Sequence, residues 1–73
     1  MEKHTIGLNA GHIWQILSDN EPHTYKQLKE ESGLAERDLN MALGWLARED
    51  QIEIEQGPDK DEFVFSIYFN NYF

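Results

Sequence analysis

Residues Thr24 to Asp50 read TYKQLKEESGLAERDLNMALGWLARED, and the architecture turns on them. Thr24 stands three residues before Gln27, the spacing of a capping box, in which each residue's side chain satisfies a backbone N–H of the other at a helix start. Tyr25, Leu28 and Ser32 then share one face of a short helix. Gly33 ends it, because glycine takes the left-handed backbone of a helix C-terminus without steric cost. Only Leu34 and Ala35 separate that glycine from a second run, in which Leu39, Ala42, Leu43 and Leu46 recur at i, i+3, i+4 and i+7. Leu34 has the spacing to staple onto Leu39 across the helix start. The segment reads as a helix, a tight turn and a helix.

Upstream, Ala10, Ile13, Trp14 and Leu17 repeat the same spacing. Asn9 is a suitable N-cap, and Leu8 with Ile13 has the spacing of a hydrophobic staple. Asp19-Asn20-Glu21-Pro22 combines turn formers with a proline that disfavours helix in the residue before it, so the first helix is predicted over Ala10 to Ser18. Downstream of Asp50 the period changes from 3.6 to 2. Ile52 and Ile54 point one way and Glu53 and Glu55 the other, as a half-buried strand requires. The stretch from Gln56 to Glu62 is dense in turn formers, and Phe63, Phe65, Ile67 and Phe69 then alternate with Val64, Ser66 and Tyr68. Two strands joined by a turn-rich loop make a hairpin. The predicted core is Ile13, Trp14, Leu17, Tyr25, Leu28, Leu34, Leu39, Leu43, Leu46, Ile52, Ile54, Phe65 and Ile67.

Seventy-three residues, six basic against fourteen acidic side chains (net charge −8) and no cysteine bound the answer. The chain is one domain, 1–73, too short for a second lobe. A core of this size supplies only about 3 to 5 kcal/mol, and neither a disulfide framework nor a thiolate zinc site adds to it. No apolar run approaches a membrane span, and the residues from Met1 to Gly7 lack the basic start and apolar stretch of a signal peptide, so a cytoplasmic location is the default. With 40% apolar residues and nine aromatics (four Phe, two Trp, three Tyr) the chain is too hydrophobic for a disordered acidic tail.

Helix, helix, turn, helix and hairpin is the order of a winged helix-turn-helix domain, an α+β fold of three helices followed by a two-stranded antiparallel wing. The residues from Lys26 to Leu34 and from Asp38 to Ile52 resemble winged helix-turn-helix proteins generally. The stretch Ala42-Leu43-Gly44-Trp45-Leu46-Ala47-Arg48-Glu49 resembles more narrowly a family of small, single-domain, functionally uncharacterised prokaryotic winged-helix proteins. Two positions depart from the pattern. Ala35 occupies an N-cap where Ser or Thr is usual, and Asp50 stands where many winged helices have the glycine that leaves the third helix. The resemblance implies the fold and, by broad analogy, nucleic-acid binding, with the third helix in the major groove and the wing on phosphates.

The residues on those surfaces weigh against that analogy. Opposite the apolar stripe of the third helix lie Arg37, Met41, Gly44, Trp45 and Arg48, with Asn40 at the edge. For DNA, Arg37, Asn40, Met41 and Arg48 are the contact candidates, the arginines toward guanine or phosphate and Asn40 toward adenine. Yet Glu36, Asp38 and Glu49 flank the same helix, and the hairpin carries Glu53, Glu55, Asp59, Asp61 and Glu62 against Lys60 alone. A wing of that sign repels the phosphates it should hold. A bland account also stands, in which these charges merely solvate a small domain.

For protein contact, Met41, Gly44, Trp45 and Arg48 are the candidates, since Trp, Met and Arg are enriched at interfaces. Gly44 within a helix costs on the order of 1 kcal/mol relative to Ala, which close approach of a partner would explain. Trp45 either covers a neighbouring element of its own chain or meets a partner. Tyr68, Phe69, Tyr72 and Phe73 place four aromatics in the last six residues, and Tyr68, Tyr72 and Phe73 join the interface candidates, a homodimer being the favoured assembly. No enzyme chemistry is evident. His4, His12 and His23 lack paired metal-ligand spacing and are expected at exposed polar positions. No nucleophile elbow, phosphate loop or EF-hand is present, and no cofactor is expected. The reading is a winged-helix module acting by protein interaction as a homodimer, accessory to transcription regulation, with a DNA-binding regulator as the alternative.

Overall fold

The structure, a computed structural model, describes residues 2–59 and 62–67. Three helices, α1 (Lys3–Ile16), α2 (Tyr25–Ser32) and α3 (Glu36–Arg48), pack on a small antiparallel sheet of β1 (His23–Thr24), β2 (Ile52–Gln56) and β3 (Phe63–Ile67). The sheet order is β1-β3-β2, with His23 opposite Phe65 on one side of β3 and Ile54 opposite Phe65 on the other. The α1 helix lies chiefly against α3, and the core is formed by Ala10, Ile13, Leu17, Leu28, Leu39, Ala42, Leu43, Leu46, Ile52 and Phe65. Ile16, Tyr25, Leu34, Ala47 and Ile67 close it at the margins, half-buried.

The capping box forms in full. The Gln27 N–H donates to Thr24 Oγ1 at 3.1 Å, and the Thr24 N–H donates to Gln27 Oε1 at 2.8 Å. Gly33 leaves α2 at φ 70°, where its N–H donates to the Lys29 carbonyl. Ala35 gives α3 an extended N-cap residue without a side-chain cap, so the start of α3 is held by its packing. Asp50 does the work of the expected glycine, leaving α3 at φ 56° in the left-handed region that Asp tolerates better than most residues.

Four expectations need correction. The first helix begins at Lys3, seven residues before its predicted start, and Asn9 lies inside it. Ile6, one turn before Ala10, extends the buried stripe, and packing on α3 outweighs the low helix propensity of Gly7 and Gly11. The helix then tightens into a 3₁₀ turn over Leu17–Asp19. The wing hairpin is present, but β1 makes the sheet three-stranded. A strand of two residues, the second of which is the N-cap of α2, is too short to show a period. Trp14 and Ile54, both predicted in the core, are 40% and 46% exposed. Trp14 lies at the flank of the stripe whose centre Ala10, Ile13 and Leu17 occupy, and Ile54 lies on an edge strand. His23, expected at the surface, is 8% exposed.

Candidate functional site

The exposed flank of α3 carries the residues singled out by helical spacing. Met41 is 41% and Trp45 42% exposed, so the chain's own elements cover only part of each ring or thioether. Arg37 and Arg48 are exposed beside them. Arg37 Nε donates to Asp38 Oδ1 at 3.5 Å, a surface pair of little energetic weight. Asn40 is engaged within the chain, because the Tyr25 hydroxyl donates to its Oδ1 at 2.8 Å. Bidentate reading of adenine needs that carbonyl oxygen as well as the amide nitrogen, so Asn40 would meet adenine with an oxygen that already accepts one bond. Glu53 and Glu55 on β2 and Asp59 in the loop are exposed, which places acidic charge on the wing.

Gly44 faces a different feature from the one its spacing suggested. A Cβ added to it would meet nothing within 4 Å, and it lines an apolar groove of about 330 Å³ between α3 and the sheet. Asn40 and Leu43 line the same wall, Ile54, Phe63 and Phe65 the opposite one, and Tyr25 closes one end. Tyr25 packs on Phe65 with ring centroids 6.5 Å apart. Partial burial, reinforced by the negative charge of Glu36, pushes the Tyr25 phenol above its ordinary pKa, while the Asn40 hydrogen bond acts the other way. Spacing alone gave Gly44, Leu43 and Phe65, but not the groove, because the juxtaposition depends on how far β2 and β3 project beyond α3. The half-exposed Phe63, at 49%, continues the alternation of β3 and was the available signal.

A polar cluster is centred on His23 of β1. His23 Nε2 lies 3.0 Å from Asp19 Oδ2, and Nδ1 lies 3.0 Å from Glu31 Oε1. An ionised carboxylate only accepts, so a neutral ring serves one of them and a protonated ring both. Asp19 also accepts from the Glu21 N–H at 2.9 Å; that bond and then the one from His23 hold its carboxyl below the ordinary range. The two carboxylates sit on opposite ring nitrogens and do not converge. Among the described residues no group of His, Asp and Glu is arranged to hold a metal ion. Tyr68, Tyr72 and Phe73 lie outside the described residues.

No helix among the described residues is long and apolar enough to cross a membrane. Comparison with curated proteins gives no match. Among solved structures, the solution NMR structure of protein BT2368 from Bacteroides thetaiotaomicron is similar, with a TM-score of 0.77 and 28% identity, over 92% of this chain and 79% of that one. Residues 1–66 match the family described as winged helix-turn-helix domain (DUF2582), and with nearly the whole chain inside that match the protein belongs to this family.

Proposed function

We propose that this winged helix-turn-helix domain is a protein-interaction module, accessory to transcription regulation, that self-associates as a homodimer through the Met41–Trp45 flank of α3. The observation that carries the reading is the pairing of half-exposed Trp45 with half-exposed Met41 on a flank of α3 that the fold covers only in part. Trp and Arg are the residues that most often anchor interfaces, and Arg37 and Arg48 supply the polar rim. A net charge of −8 keeps such a surface soluble and disfavours polyanions as its target. Sedimentation equilibrium over a wide concentration range tests it. The wild type is expected to pass from monomer to dimer, and Trp45→Ala is expected to stay monomeric with its amide spectrum otherwise native. A wild type that stays monomeric throughout sinks the homodimer.

The exposure of Arg37 and Arg48 on the third helix favours a second reading, a DNA-binding regulator. An amide NMR titration with mixed-sequence duplex DNA separates the two. Shifts confined to Arg37, Asn40, Met41 and Arg48 that fade with added salt would establish DNA binding, because counterion release weakens phosphate contacts in that way. The protein-interaction reading expects no shifts even at low salt.

A further inference from the structure

The β2 strand is at an edge of the sheet, and the register fixes which of its backbone groups face outward. The Gly57 N–H donates to the Glu62 carbonyl at 2.8 Å, and opposed residues in an antiparallel ladder alternate between bonded and non-bonded pairs. Counting by twos from that bonded pair, Glu55 with Val64 and Glu53 with Ser66 exchange the ladder bonds. Ile54, opposite Phe65, therefore turns its own N–H and C=O away from β3. Among the described residues no further backbone partner meets them. The side chains alternate to match. Ile54 stands half-exposed on the helix side beside the apolar groove, while Glu53 and Glu55 are exposed on the opposite face.

We propose that the outer edge of β2 accepts an extended segment of a partner protein in which basic residues alternate with apolar ones. An added strand places its side chains about 4.5 to 5.5 Å from those of β2, so its basic residues lie against Glu53 and Glu55 and its apolar ones against Ile54. Charge selects this occupant over a second copy, since two β2 strands paired about Ile54 would set Glu53 of each against Glu55 of the other. The proposal rests on the protein-interaction reading but uses a surface apart from the Trp45 flank, so either can fail without the other.

The test is an amide NMR titration of the labelled full chain, at physiological salt, with a capped peptide of alternating arginine and valine and with its glutamate–valine counterpart. Saturable shifts over Ile52–Gln56, new exchange protection of the Ile54 N–H and about tenfold preference for the basic peptide are expected. Glu53→Lys combined with Glu55→Lys, both at exposed positions, should reverse that preference. Ile54→Pro should keep the native spectrum elsewhere and abolish binding, because an edge strand tolerates proline where its N–H faces outward. An Ile54 N–H already protected in the free protein overturns the proposal, as do equal affinities for the two peptides. Shifts over β2 produced by raising the protein concentration alone also overturn it, and assign the edge to a second copy.

Discussion

His23 links the turn after α1 to α2 through one carboxylate on each ring nitrogen, and it does so at 8% exposure. Replacing it with Ala removes both contacts and leaves Asp19 and Glu31 half-exposed and unpaired with it. His23→Ala should therefore destabilise the fold by about 1 to 3 kcal/mol in a urea melt at neutral pH, the range for losing a hydrogen bond to a charged group. Asp19 carries the pH dependence. Its carboxyl is held below the ordinary value of 3.8 by the Glu21 N–H first and His23 second, so the native state binds fewer protons than the unfolded chain in the acid range. The stability this contributes is present above the ordinary carboxylate pKa and is lost as the pH falls through the lowered native value. In Asp19→Asn the acid limb of the Tm against pH curve should be shallower, and a limb identical to wild type would exclude Asp19 as a source of it. Nothing about His23 in the sequence separated it from His4 and His12, because its burial follows from pairing β1 with a strand forty residues later.

At the scale of elements, α2 and α3 were legible because each carries its own signals: a capping box and Gly33 for one, four apolar residues at helical spacing for the other. The start of α1 was not. The helix has no side-chain N-cap and a glycine at its fifth residue, Gly7, so the local signals at Asn9 outweighed a stripe that Ile6 continues only weakly. The β1 strand exists only through its pairing with β3. Gly44 stands out in the sequence by its propensity cost, but α3 makes no contact there that glycine alone permits. Gly44→Ala should therefore stabilise the monomer by about 0.5 to 1 kcal/mol, measured by thermal or denaturant melting, while placing a methyl group in the groove. A destabilised variant would show that the wall of the groove closes on that position in solution.

Taken together, the described residues form a flat body, 34 × 33 × 19 Å, with an apolar layer between the helices and the sheet. Leu39 is fully buried in that layer, and Leu39→Ala should cost about 2 to 5 kcal/mol, enough in so small a core to populate the unfolded state at room temperature. A loss under about 1 kcal/mol in a denaturant melt would mean that the neighbouring side chains collapse into the space. The outward flank of α3 could be read in advance because one helix wheel defines it; the groove and the edge could not, because they belong to two or three elements at once. The strand order carries one more consequence. The central strand, β3, follows both of its neighbours in the chain, so on a ribosome β1 and β2 emerge with nothing to pair against. The helices can collapse first, and residues 63–67 then complete both ladders together. A nascent chain halted before Phe63 would thus hold a helical layer with one face unroofed, a form for chaperones to hold rather than a smaller version of the fold.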